Sequence, residues 1–464
     1  MRRCSFIGAA LTLTLTGCLM GPKYQRPKEA LPDQFRNAPP ASSPASIADT
    51  KWFDLFQDDT LTQLGRTALE QNFDVRIAAE RVLEARAQIG ITGSELYPSV
   101  DASGQFTASQ ASAIGSFPFP GGRPFRTAYT QAGVALSWEL DLWGRVRRLT
   151  EAARAQYLAT EEVRHGVVIS LIGDVTTTYF ALREQDLELE IAQRTRDAAQ
   201  DNLRLIQLRK DRGAANGLEV HQAEQFLYAA TAQIASTQRA IGQGEDALNL
   251  LLGRAPADVP RGKNLEQISI APELPPGLPS ALLERRPDIR QAEDSLIAAN
   301  AQIGAARALF FPQISLTGFL GGQSRALSSL FASPARMESI SPAALLPIFR
   351  AGLRAGVQFT EAQKREMLVA YQKSIYGALR EVSDALVSHQ RTSEQRQEQE
   401  KLVGALSESV RLSTLRYRGG LDSYLQVLDA ERNLFSGQLT LAQLRLQELE
   451  SVVQLYRALG GGWQ

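Results

Sequence analysis

Cysteine is nearly missing from this chain. Its 464 residues contain two, Cys4 and Cys18, which excludes a disulfide framework and a thiolate metal centre. Histidine is as scarce. His165, His221 and His389 lie far apart in the sequence, a distribution that argues against a metal site. Neither sign of charge is in excess, because 50 basic and 50 acidic residues cancel. Nucleic-acid binders carry a basic surplus, so that class is disfavoured. Long hydrophobic runs are lacking too. Mean hydropathy is −0.19, and no internal apolar run approaches the ~18 residues of a spanning helix. There is no GxxxxGK[ST] nucleotide loop and no catalytic constellation, which points away from an enzyme.

The N-terminus departs from this pattern. Arg2 and Arg3 precede a short apolar stretch from Phe6 to Thr16, the layout of an export signal. It ends in Leu15-Thr16-Gly17-Cys18, similar to a bacterial lipobox. On that reading residues 1–17 are removed and Cys18 carries lipid; an ordinary signal with a stray cysteine is the alternative. Several acyl chains, at about 0.8 kcal/mol per buried CH₂, anchor a protein stably. Residues 18–59 hold Pro22, Pro27, Pro32, Pro39, Pro40 and Pro44 and read as an extended tether.

Beyond the tether the chain repeats itself. Ala87-Gln-Ile-Gly90 returns as Ala301-Gln-Ile-Gly304, an offset of 214 (304 minus 90). Asp74, Arg76, Ala78, Ala85 and Pro98 recur at the same offset. Further on, Gly213, Leu218, Val220, Ala223, Glu224 and Leu227 match Gly420, Leu425, Val427, Ala430, Glu431 and Leu434 at 207 (420 minus 213). Polar identities and Gly/Pro punctuation coincide, so two halves of one architecture are fused in tandem. The first spans 60–255, a Pro-rich linker 256–280, and the second 281–464.

Each half reads as helix, β-hairpin, very long helix, turn, helix. The first helix is expected over about 60–96, behind the capping residues Asp58-Asp59-Thr60. After Pro98 the period changes to two. Val100, Ala102, Gly104, Phe106 and Ala108 share one face, and Ala132, Val134, Leu136, Trp138 and Leu140 share another. The hairpins are expected at 97–140 and 312–347. The return strand near 337–347 reads as weak and interrupted by Pro342. Four strands cannot close a membrane barrel, which starts at about 8, and an open edge is forbidden in lipid. Hairpins must therefore be pooled between chains. Three copies would give twelve strands, enough for a lumen, whereas eight strands fill with their own side chains.

The helices after the strands are unusually long. Residues 145–212 contain no proline and would span roughly 100 Å as one helix. The last helix shows a seam of Leu421, Leu425, Leu428, Arg432, Phe435, Leu439, Ala442, Leu446, Leu449, Val453 and Tyr456, the spacing of a coiled coil. A coiled-coil scaffold without a pore would carry the same seam.

Several stretches together resemble one family. They are Cys18-Leu-Met-Gly-Pro-Lys-Tyr-Gln-Arg-Pro27, Trp52-Phe-Asp-Leu-Phe56, Trp138-Glu-Leu-Asp-Leu-Trp-Gly144, Arg285-Arg-Pro-Asp-Ile-Arg-Gln-Ala-Glu293, Leu346-Pro-Ile-Phe349 and Arg416 through Glu431. In this order they are similar to the TolC-like outer-membrane factors, and specifically to NodT-type lipoproteins of RND multidrug efflux. The resemblance implies an α+β fold: a long-helix, coiled-coil α-barrel in the periplasm and a transmembrane β-barrel built from four strands per chain in a homotrimer. It implies passive conduction of drugs and other small toxic compounds, with energy from an inner-membrane RND transporter joined through a periplasmic membrane-fusion adaptor. It also implies outer-membrane lipid as surroundings, no nucleic-acid partner and no cofactor beyond the N-palmitoyl and S-diacylglycerol groups on Cys18. Leu19 rather than Asp after that cysteine fits outer-membrane sorting. A protein-secretion duct and a heavy-metal duct of the same fold remain alternatives.

The resemblance also implies a gate. Leu425 and Asp429 match positions whose rings narrow the closed periplasmic entrance, and they lie four apart on one helix face. Three carboxylates around an axis would repel one another and favour cations. A solvated helix charge and ordinary seam packing are the plainer readings of the same two residues. Tyr417, Arg418 and Glu219 match positions that hold the tip shut. Gln426 stands where some relatives place a second Asp, which leaves the number of acidic rings open.

Overall fold

The computed structural model describes residues 19–38, 46–112, 126–268 and 274–462. Cys18 and the export signal lie outside them. The chain folds as α1 (Trp52–Leu55), α2 (Asp59–Gln71), α3 (Phe73–Ser94), β1 (Ser99–Gln110), β2 (Arg126–Leu140), α4 (Arg145–Asp211) and α5 (Gly217–Leu251). The second half follows as α6 (Leu282–Arg285), α7 (Pro287–Ala308), β3 (Gln313–Ser324), β4 (Arg336–Leu345), α8 (Gly352–Arg418) and α9 (Tyr424–Ala458). Helices α4 and α8 are 67 residues each, and α5 and α9 are 35 each, so the tandem repeat is a repeat of structure.

Two compact units form, and each draws on both halves. One contains residues 83–160 and 292–370 with the N-terminal segment to Pro27; the other contains 28–82, 161–291 and 371–464.

The first unit is built on a four-stranded antiparallel sheet in the order β1-β2-β3-β4. Ser99 faces Ser137, Leu140 faces Ile314, and Gln313 faces Leu345. Pro342 does not interrupt β4, contrary to expectation. It lies opposite Leu316 on an edge strand, where a missing N–H need not cost a ladder bond. Among the described residues β1 and β4 each have one strand neighbour, and Phe106 and Ile340 stand exposed on them.

The stretch Trp138–Gly144 makes the strand-to-helix joint. Trp138 donates its indole N–H to Leu96 O (3.0 Å), and Trp143 donates to Pro312 O (2.7 Å) while stacking on Phe311. The Asp141 carboxylate accepts from Val146 N and Arg147 N (3.1 and 3.0 Å), satisfying orphan donors at the start of α4. Close by, α4 and α7 meet through Ala152, Ala155, Ala298 and Ala301.

Residues 19–27 are extended but not loose. Arg148 donates to Met20 O (2.9 Å), Asn300 donates to Pro22 O (3.0 Å), and Tyr24 and Arg26 both reach Glu293. Gly21, at φ +92°, presses on Gly304 so closely that a Cβ would lie 2.4 Å from its Cα. Gly304, in the second copy of the repeated Ala-Gln-Ile-Gly stretch, is therefore closely packed. Gly90 meets nothing within 4 Å in the single chain.

In the second unit the expected first helix is two helices. Asn72 adopts an extended backbone and its Oδ1 accepts from Asp74 N and Val75 N (2.8 and 3.1 Å). Its side chain caps α3 and competes with helix continuation. The last part of the tether, residues 46–59, is folded as well. Trp52 and Phe56 are buried and pack edge-on with each other, with Tyr456 and with Phe180. The inter-repeat linker is fastened beside them: Asp58 and Tyr179 hold Gly262 and Lys263, and Arg183 donates to Lys263 O and Asn264 Oδ1. Helix α4 does contain an 18-residue window apolar enough to cross a membrane by composition, half of it buried in the fold. There Ile172, Val175 and Phe180 belong to the core.

Candidate functional site

The long helices of the second unit end in two turns built alike. Gly213 and Gly420 have φ of +70° and +74°, the left-handed conformation that glycine adopts at helix C-termini without a Cβ penalty. Asn216 then caps α5 by accepting from Glu219 N (3.0 Å). In the other turn Leu421 N donates to Arg416 O and Gly420 N to Tyr417 O, closing α8. Arg416 grips Asp422 with two bonds (2.5 and 3.1 Å), and this contact holds the Asp422 carboxyl below its usual range.

The ends of all four helices share one apolar cluster. Leu203 and Ile206 come from α4, Val220, Phe226 and Leu227 from α5, Tyr417 from α8, and Tyr424, Val427 and Leu428 from α9. The Tyr417 and Tyr424 rings lie 5.6 Å apart. Tyr417 donates its hydroxyl to Glu219 Oε2 (3.3 Å), and the Arg209 guanidinium sits 4.4 Å over its ring. Burial raises the Tyr417 phenol above its ordinary value, with the Arg209 charge opposing. Tyr417 and Glu219 are therefore brought together. Arg418 is exposed and makes no hydrogen bond or ion pair among the described residues.

Leu425 and Asp429 face outward from the same turns of α9. Leu425 is 52% exposed, and Asp429, also exposed, accepts from Asn433 (3.2 Å). The expected seam is corrected here. Leu421 lies in the turn and is exposed, and the buried positions at this end are Tyr424, Val427 and Leu428. Arg432, the one charged residue of that seam, reaches across to Gln225 Oε1 (2.8 Å).

Sequence reasoning missed Arg209, Asn202 and Glu431. Asn202 on α4 donates to Glu431 on α9 (2.5 Å). Glu431 was visible as a residue shared with Glu224 of the first half; its burial was not. The three histidines are accounted for separately, each bonded to a neighbour: Glu162, Glu224 and Ser451.

Among the described residues the chain combines a sheet with two unpaired edges and a four-helix apolar cluster flanked by outward-facing Leu425 and Asp429. The sequence model of the outer membrane efflux protein family matches residues 64–254 and 278–461. The chain belongs to that family. It is 41% identical over 458 residues to the solvent efflux pump outer membrane protein SrpC of Pseudomonas putida, covering 97% of each chain. It is 36% identical over 468 residues to the probable outer membrane lipoprotein SilC of Salmonella typhimurium, covering 100% of each. Among solved structures it resembles the open state of the MtrE outer membrane channel of Neisseria gonorrhoeae, at TM-score 0.85 and 33% identity over 96% of this chain and 99% of that one. The protein is an outer-membrane efflux channel.

Proposed function

We propose that three copies of this chain form one duct that conducts small toxic compounds passively out of the cell. Each copy contributes four strands, and twelve close a barrel with a lumen. The two open sheet edges of the single chain support this pooling. An inner-membrane RND transporter supplies the energy, and a periplasmic adaptor joins it to the duct. The similarity to a solvent efflux component makes apolar organic compounds the cargo to test first. Lipid on Cys18, next to the bound segment that begins at Leu19, anchors each copy.

The turn end of the four long helices is the periplasmic entrance. The observation that carries this reading is the shared cluster that locks α4, α5, α8 and α9 together while leaving Leu425 and Asp429 outward. Rings of these two residues narrow the closed entrance, and the Tyr417–Glu219 contact, with Arg418 beside it, holds it shut. Leu425→Ala combined with Asp429→Ala is expected to raise single-channel conductance in a planar bilayer several-fold. Conductance equal to wild type would remove the gate from these residues. For the duct itself, restoring the gene to cells that lack it is expected to lower steady-state dye, and a protonophore to abolish the effect. No change across a panel of dyes and antibiotics would count against drug efflux.

A further inference from the structure

Just behind the turn cluster, among the described residues the one hydrogen bond between the Glu431 side chain and another helix is that from Asn202. Glu431 Oε1 takes that bond from α4, and its Oε2 is sealed from solvent with no hydrogen-bond partner among the described residues. Among the described residues no cation pairs with it. Arg432, its neighbour on α9, is committed to Gln225 on α5. Arg209 of α4 lies over the Tyr417 ring, and Arg204 pairs loosely with Asp201. On α8 and its turn, Arg416 is held by Asp422. The anions and phenols nearby, Glu219, Tyr417 and Tyr424, offer no positive charge. A glutamine would keep the Asn202 contact without a buried charge, so the carboxyl costs stability that a neutral amide would not. The first-half counterpart, Glu224, avoids that cost by pairing with the exposed His221 (2.8 Å).

We propose that Glu431 is a proton-operated latch of the entrance. Protonated, it holds the α4–α5 and α8–α9 hairpins together; ionised, it lets them part. The inference rests on reading this end as the entrance. Burial pushes the Glu431 carboxyl up to about 7, and the Asn202 bond only partly opposes that. A carboxyl whose pKa is raised in the packed state favours packing while it is protonated. Its support is complete below the ordinary carboxylate range and is lost as pH rises through about 7. The closed arrangement should therefore tighten in acid and loosen at neutral to alkaline pH.

The test uses the purified full-length protein in a planar bilayer, with the face bearing the turns held at about pH 5.5 and then about pH 8, a step that should lower the closed-to-open ratio about 25-fold per latch. Glu431→Gln is expected to stay at the low-pH level in both buffers. A Glu431→Gln channel that responds to pH like wild type would overturn the latch. The distance between spin labels at Gln200→Cys and Ser436→Cys reports the parting of α4 and α9 without reference to conduction. Labels that separate with pH in wild type but not in Glu431→Gln, together with unchanged conductance, would keep the latch and refute the entrance. Labels that never separate would refute the latch, while the Leu425→Ala, Asp429→Ala channel tests the entrance independently.

Discussion

Asp58 receives four hydrogen bonds at once, from Thr60 N, Leu61 N, Lys263 N and the Tyr179 hydroxyl. It caps α2 and fastens the linker between the repeats to α4. Loss of the cap costs about 1 kcal/mol, and each buried donor left unpaired costs about 1–3 kcal/mol more. Asp58→Ala is therefore expected to lower the thermal midpoint clearly and to open residues 256–268 to protease, both read on the purified protein. Glu184 makes a different prediction. Burial pushes its carboxyl up to about 8, with Glu188 and Glu450 adding to the rise. The fold then favours the protonated form, and that contribution disappears as pH rises through about 8. Glu184→Gln should match wild type near the ordinary carboxylate range and exceed it in denaturant stability at alkaline pH. Glu184 lies 18 residues before Asn202 on α4, ~27 Å along the helix, so Glu184→Gln should leave the response of Glu431 intact.

At the scale of elements, the bound N-terminal segment depends on two glycines in contact. A Cβ on Gly304 would meet Met20 O at 2.5 Å, so Gly304→Ala and Gly21→Ala are both expected to release residues 19–27. Tryptic cleavage at Lys23 would accelerate. Gly90→Ala, at the same repeat position with open space around it, should leave the segment in place. How much of this was legible varied with the kind of signal. Period-two alternation marked the first three strands, β4 read as weak, and Gly/Pro punctuation marked the turns. Pro287 announced the start of α7, because proline suits the first helical turn. Asn72 broke the first-half helix at the equivalent position by side-chain capping, which resembles many unremarkable asparagines in sequence. Pro342 misled because its effect depends on whether its strand is an edge. At the candidate entrance, the motif through Glu431 covers the turn between α8 and α9, but it could not say that Tyr424 faces in while Leu425 faces out. One residue along a helix rotates a side chain by about 100°, and only packing fixes which one is buried.

For the whole molecule, the open edges β1 and β4 set the expectation. Protein extracted in mild detergent should have the mass of three chains, and the band on a gel should shift only after heating. A stable single-chain mass would leave four strands to do what about eight are needed for. The Glu139–Arg145–Glu95 contacts tie strand, helix and preceding helix within each copy, whereas the second-half counterpart, Leu346–Phe349, leaves Ile348 and Phe349 almost fully exposed. If three copies assemble as proposed, those side chains are expected to gain cover there.

The pairing of β2 with β3 also carries a consequence in time. Leu140 meets Ile314 across 174 residues (314 minus 140), and the described residues between them form no strand of the sheet. Pairings this distant in sequence are slow to form. The first hairpin must therefore wait, with both of its flanks unpaired, until the second half of the chain has been delivered. The central ladder of the sheet is thus a late step, and a chain truncated after α5 would expose an adhesive, unfinished sheet to whatever strand came next.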